Sequence, residues 1–205
     1  MGKLLTNIAL ITISLPFSIS SRAKQLEEII VTGVVPAGSS IDATKLAYPI
    51  QTANAEDLDN ASILSVADFL RQNFSSVTVN DAQNNPMQPD LQYRGFTASP
   101  LLGLAQGLAV YQNGARINEP LGDTVNWDLL PQSAIGSLTL GGGTNPLYGL
   151  NSLGGALVIK MKNGFSFEGA NLEISTGSFG RTVSNFEAGG NNGEFAFYAN
   201  VEYFD

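Results

Sequence analysis

Two places in the chain set residues at spacings that could do chemistry. Glu27 and Glu28 are the first, because paired carboxylates are what glycoside hydrolysis uses. They are adjacent, so in a strand they point to opposite faces and cannot flank one bond. The run Gly141–Gly143 is the second, because glycine-rich loops cradle phosphates. No Lys-Ser or Lys-Thr follows it, so the phosphate-loop pattern fails. The chain has no His and no Cys. That removes imidazole and thiol nucleophiles and the usual zinc sites. Carboxylates, Ser, Lys and Tyr remain, and no two acids converge. The expectation is no catalytic residue, no metal site and no cofactor. A carboxylate-based secreted enzyme is the weakest of the readings that the chain allows.

The elements that must position any site come next. Residues 1–23 read as a secretory signal peptide: Lys3, an apolar run Leu4–Ile19 broken by Pro16, and a small-x-small site at Ser21-Arg22-Ala23. The apolar run is slightly short for a bilayer span, which needs about 20 residues. Of the 10 basic and 18 acidic residues, this segment takes Lys3 and Arg22, so the remainder carries 10 − 2 = 8 bases, a net charge of 8 − 18 = −10. Nucleic acid wants a basic patch, and a polybasic membrane clamp wants the same; neither fits. The glycine count of 22 and the 14% charge suit strands and tight turns better than helices.

Residues 24–43 hold "QLEEIIVTG" and a Gly/Ser/Pro-rich stretch without period, which reads as a linker. From Thr44 to Lys162 the pattern is a small α+β domain. Tyr48–Ala53 is a short strand. Ser62–Asn73 is the best helix, with Ser65 and Asp68 at capping-box spacing and Val66, Phe69 and Leu70 on one face. Ser76–Asp81 alternates with period two. Leu91–Phe96 and Leu108–Asn118 are further strands, the second holding the hairpin dipeptide Asn113-Gly114. Trp127–Gly143 begins with a helix-like turn and enters a strand, and Leu157–Lys162 closes the domain.

Beyond Gly164 three segments of about ten residues alternate strictly. Ala170, Leu172, Ile174 and Thr176 share one face, against Asn171, Glu173 and Ser175. Thr182, Ser184, Phe186 and Ala188 oppose Val183, Asn185 and Glu187. Phe195, Phe197, Ala199, Val201 and Tyr203 oppose Tyr198, Asn200 and Glu202. The pattern fits transmembrane β-strands and equally an ordinary antiparallel sheet with one buried face. Three strands cannot close in lipid without orphaned backbone groups. In the membrane reading, then, the chain is expected to be the N-terminal part of a longer protein.

The order of these elements resembles the TonB-dependent outer-membrane receptors. Glu27–Gly33, "EEIIVTG", looks like that family's TonB box. Leu91–Phe96, "LQYRGF", matches its x-x-x-R-G-F strand, and Val110–Asn118 matches its V-Y-x-D/N-G-V segment. Leu140–Lys162 looks like the closing plug motif, with Leu147-Tyr148-Gly149 and Gly154-Gly155 in register. Three positions depart from the pattern. Gly142 or Gly143 replaces the usual Arg, which leaves that ion pair without its cation. Leu153 stands where Ala is common, and Asn113 replaces Asp. The resemblance decides between the two readings of the alternating strands. It also decides how to read Leu26–Thr32, which alone would pass for the first strand of a domain.

The resemblance implies an α+β plug domain (44–162) followed by antiparallel strands of an incomplete transmembrane β-barrel (163–205). It implies a Gram-negative outer-membrane location and energised import without chemistry on the cargo. That cargo is most often a ferric siderophore; haem, cobalamin and oligosaccharides are the other options. The implied partner is TonB with its inner-membrane energising complex, bound through Glu27, Glu28, Ile29, Ile30, Val31 and Thr32. These residues have high β-propensity and suit strand addition to a partner's sheet edge. No additional signalling domain fits between Lys24 and Thr44. Cargo is expected to meet the loops Ala82–Asp90, Thr97–Gln106 and Glu119–Trp127, with Gln88, Gln106, Asp123 and Trp127 as contacts. Polar loop residues and one Trp also fit plain turns and packing. Arg94 is expected in a partly buried strand, paired with acids of the plug or barrel wall, with an unpaired surface charge as the other reading. Gly95 is taken with it as a structural plug residue, and Gly149, Gly154 and Gly155 are expected to permit tight turns and close backbone approach. The runner-up function is an exported plug-only module that binds a ligand or partner without a pore.

Overall fold

A computed structural model describes residues 48–61, 65–81 and 83–204. The expected signal peptide and the TonB box with its linker lie outside the described residues. The chain opens with strand Ile50–Asn54 (β1). Asn54 ends it and caps helix Ala55–Asn60 (α1). The Asn54 side chain accepts from the Asp57 N–H, and the Asp57 carboxylate accepts from the Asn54 N–H, a reciprocal capping box. No periodicity announces this six-residue helix; its signal is the Asn54–Asp57 spacing.

The second helix, expected from Ser62, is observed over Val66–Asn73 (α2). Ser65 Oγ caps it, accepting from the Asp68 N–H at 3.2 Å. The box is only half made, because the Asp68 carboxylate takes Arg71 at 2.8 Å instead. Val66, Ala67, Phe69 and Leu70 are buried on its inner face.

Val77–Asn80 (β2), Asp90–Tyr93 (β3) and Phe96–Ala98 (β4) form a small antiparallel sheet. Here the expectation of one strand over Leu91–Phe96 is corrected. Arg94 and Gly95 have φ of 53° and 85°, two consecutive left-handed residues that fold the segment into a two-residue hairpin. Tyr93 pairs with Phe96 across it. Leu108–Gln112 (β5) and Ala115–Arg116 (β6) make a second hairpin through Asn113-Gly114, at φ 49° and 84°.

Ile135–Gly142 (β7) and Gly155–Met161 (β8) complete a five-stranded sheet in the order β1-β7-β8-β5-β6. β5 and β8 run parallel and the other neighbours antiparallel. One face of this sheet holds the main core, where Leu138, Leu157 and Ile159 meet Phe69, Leu70, Leu91 and Trp127.

Gly169–Thr176 (β9), Thr182–Asn191 (β10) and Ala196–Phe204 (β11) form a separate antiparallel sheet with β10 central. Register places Phe186 opposite Leu172 and Val201, and Ser184 opposite Ile174 and Tyr203. That face is open: Leu172, Ile174, Phe197, Val201 and Tyr203 are all exposed. The opposite face, with Asn185 and Glu187 buried, lies against the α+β unit. No helix among the described residues is long and apolar enough to cross a membrane, which says nothing about strands.

Candidate functional site

Three loops meet at the N-terminal ends of β5 and β8. The first runs 99–107. Gln106 closes it from within: its Oε1 accepts from the Ser99 N–H at 2.8 Å, and its Nε2 donates to the carbonyls of Ser99 and Leu101. The second runs 119–126 and is bonded to the first by Val125 N–H to the Ser99 carbonyl, 3.0 Å. The third runs 143–154 and is bonded to the first by Gly154 N–H to the Gly107 carbonyl, 2.8 Å. Asp123 ties the second to the third. Arg116 reaches one of its carboxylate oxygens at 3.0 Å and Asn151 the other at 2.6 Å. Arg116 also donates to the Leu150 carbonyl.

Glycine fixes how closely these loops approach the sheet. A Cβ on Gly154 would lie 2.4 Å from the Cβ of Phe96, and one on Gly107 would lie 2.7 Å from the same ring. Gly155 has φ 129°, and a Cβ there would lie 2.0 Å from the Gly141 carbonyl oxygen. Phe96 therefore keys the small sheet onto the two glycine-bearing loops, where a side chain would hold them apart. Gly149, at φ 73°, turns the chain after Tyr148. Tyr148 is fully buried and takes a 2.6 Å hydrogen bond from Tyr111 on its carbonyl. Burial, then the hydrogen bond to Tyr48, pushes the Tyr148 phenol well above the ordinary tyrosine range. Burial likewise raises Tyr111, against the pull of Arg116.

A second polar assembly seats the α+β unit on the strands. Lys162, just after β8, lies 3.2 Å from Glu187 of β10 and 3.7 Å from Asp59 of α1. The Lys162 and Glu187 side chains are 7% and 4% exposed, so this is a buried pair. Glu187 also accepts from the Tyr198 hydroxyl at 2.8 Å and from Asn171 at 3.4 Å. Nearby, Ser133 donates to Asn185 at 2.9 Å and accepts from Asn200 at 3.0 Å. Partial desolvation beside the strands, at a side chain that stays 62% exposed, raises the Asp59 carboxyl above its ordinary value; Lys162 opposes that shift and Glu187 adds to it. Beside this seat lies a cavity of about 220 Å³, bounded by Asp59, Met87 and Ser133 on one side and Glu173, Asn185 and Glu202 on the other.

The structure separates the sequence-predicted site residues. Gln106 is buried and spent on its own loop. Trp127 is 3% exposed, with its indole N–H on the Ala98 carbonyl at 3.2 Å. Both are buried with their polar atoms taken, those of Gln106 by its own loop and that of Trp127 by the end of β4, so the expectation that they are exposed contacts is corrected. Asp123 is half-buried, with both carboxylate oxygens occupied. Gln88 is half-buried and donates to Asp128, leaving its Oε1 without a partner among the described residues. Arg94 lies at a turn and not, as expected, within a strand. It is exposed at the hairpin turn beside Gly95, 5.3 Å from the Tyr93 ring, and makes no ion pair among the described residues. Sequence reasoning passed over Lys162 and Glu187, which meet only where the two sheets pack together.

The sequence matches the family model of the TonB-dependent receptor plug domain over residues 42–156, more than half of the chain. The chain belongs to the TonB-dependent receptor plug family. A search of curated proteins returns no match. Among solved structures, the FpvAI–pyocin S2 complex superposes with a TM-score of 0.64 at 17% identity, over 81% of this chain and 21% of that one. The pyoverdine outer membrane receptor FpvA of Pseudomonas aeruginosa PAO1, bound to pyoverdine, gives 0.62 at 15% identity, over 81% and 23%. The ferric yersiniabactin uptake receptor FyuA of Yersinia pestis gives 0.55 at 17% identity, over 79% and 24%. At these identities the likeness is one of fold: a plug domain followed by antiparallel strands of an unclosed barrel. The chain spans about a fifth to a quarter of the length of these receptors.

Proposed function

We propose that this chain is the plug-bearing, N-terminal part of an outer-membrane receptor that imports a scarce ligand with energy delivered by TonB. In this reading residues 1–23 are a signal peptide and 24–43 carry the TonB box and linker. The plug occupies 44–162, and 163–205 begin the barrel. The observation that carries the reading is the two-faced sheet β9–β11. Its outer face presents Leu172, Ile174, Phe197 and Val201, and its inner face is polar where the plug sits on Glu187 and Asn185. Transmembrane barrels alternate in this way. An exported plug-only module would gain nothing from such an outer face, so that runner-up is less favoured.

The cargo class is a ferric siderophore, in keeping with the pyoverdine and ferric yersiniabactin receptors among the fold neighbours. The protein moves its ligand without reacting it. Glu27, Glu28, Ile29, Ile30, Val31 and Thr32 pair as a strand with the periplasmic domain of TonB, where main-chain hydrogen bonds supply affinity. A peptide of residues 24–40 is expected to bind that domain, and Ile30→Pro, which removes a strand donor, is expected to abolish binding. Failure of the native peptide to bind would reduce Glu27–Gly33 to an ordinary strand and favour the plug-only module.

A further inference from the structure

The three loops at the N-terminal ends of β5 and β8 turn their polar groups inward and leucines outward. Leu102 is 74% exposed, Leu121 85% and Leu150 87%, with Leu104 at 42%. They belong to one surface. Leu102 reaches to 2.6 Å from where a Gly122 Cβ would be, next to Leu121. The Leu150 carbonyl is held by Arg116, the same side chain that holds Asp123. Residues 99–107, 119–126 and 143–154 contain no Lys or Arg. Their only charges are Glu119, which accepts from Asn126, and Asp123, which is fully engaged. Arg116 enters from β6 and is spent on that aspartate.

This surface therefore offers a ligand apolar contact and no cation. An anionic chelate meets two carboxylates and one neutralised guanidinium, whereas a neutral one loses nothing to repulsion and covers leucine. The strands present do not supply a cover. Their inner face is mainly polar, with Asn171, Glu173, Asn185, Glu187 and Glu202 around Val183, and so complements leucines poorly. We propose that the plug's loop end recognises an uncharged cargo with an apolar surface, held on Leu102, Leu104, Leu121 and Leu150. This rests on the import reading above and narrows its cargo from ferric siderophores in general to neutral chelates.

The test is isothermal titration of the protein in detergent micelles with two iron(III) probes. One is ferrichrome, a trihydroxamate whose three single negative charges neutralise Fe³⁺. The other is ferric enterobactin, a triscatecholate with net charge −3. The expected result is binding of the trihydroxamate, with the triscatecholate at least tenfold weaker. Leu102→Ser/Leu121→Ser is expected to weaken the trihydroxamate at least tenfold. Leu129→Ser, equally exposed at 71% but outside the three loops, should leave it unchanged and so control for folding. Equal or tighter binding of the triscatecholate overturns the proposal. So does an unaffected double variant, or binding of neither probe. The TonB peptide assay is read separately, so a failure of the import reading shows there and not in the ratio of the two probes.

Discussion

Replacing Lys162 by Met tests whether the buried pair holds the plug on the strands. The substitution keeps an unbranched side chain one atom shorter and removes the charge. Glu187 is left 4% exposed without its cation, and the long contact of Lys162 to the 62%-exposed Asp59 side chain is lost as well. Breaking one half of a buried pair costs about 3–5 kcal/mol. The Tyr198 hydroxyl and Asn171 still donate to Glu187, which places the cost near the lower end, about 3 kcal/mol. The exposed Asp59 contact adds at most about 1 kcal/mol. Against a total stability of about 5–15 kcal/mol, this is a large loss. Lys162→Met/Glu187→Leu removes both charges and is expected to recover most of it, because an apolar pair of similar volume is often neutral. The assay is urea unfolding of the protein in detergent micelles, with the single and double variants forming a cycle. A Lys162→Met loss below about 1 kcal/mol, or a double variant as unstable as the two singles summed, would refute the assignment of a buried pair.

Three further outcomes follow from geometry already described. Gly155→Ala forces a Cβ against the Gly141 carbonyl at φ 129° and is expected to cost more than about 2 kcal/mol by the same unfolding measurement. Arg94→Ala, at an exposed turn, is expected to change stability by less than about 0.5 kcal/mol; a loss of several would restore the buried-cation reading. Asp59 has a raised pKa in the folded state, so there the folded protein holds the proton more tightly than the unfolded chain. Its contribution to stability is present at low pH and is lost as pH rises from about 3.9 through the raised value. The stability of Asp59→Asn relative to the wild type should therefore climb across that window; a flat difference would contradict the shift.

The readable parts of this fold are those whose cause is local. Asn113-Gly114 is a hairpin signal because both residues tolerate left-handed backbone, and it is found as a hairpin. Arg94-Gly95 adopts nearly the same geometry, but Arg is an uncommon residue there, and the six-residue run read as one strand. The alternating faces of β9–β11 were legible because period two is a property of each strand alone. Gln106 and Trp127 were misplaced because a sequence shows that a residue is polar or aromatic but not whether its own loop, as for Gln106, or a distant strand, as for Trp127, will bury it. The Lys162–Glu187 pair joins two separate sheets, so it is settled only when the two units pack.

The sheet order β1-β7-β8-β5-β6 has a consequence for the order of assembly. β8 is the last strand of the plug in sequence, yet it lies between β7 and β5. Until it arrives, β1–β7 and β5–β6 are two unconnected ribbons, and the core lacks Leu157 and Ile159, both fully buried in the finished fold. Joining them needs the parallel pairing of residues 108–112 with 155–159, a contact across a long stretch of chain and so a slow one to form. The nascent plug thus remains unfinished, with strand edges open to other chains, until the segment leading into β9 has followed it. Anything that shielded those edges would have a defined moment to let go: when β8 is inserted between β7 and β5, the five-stranded sheet is complete.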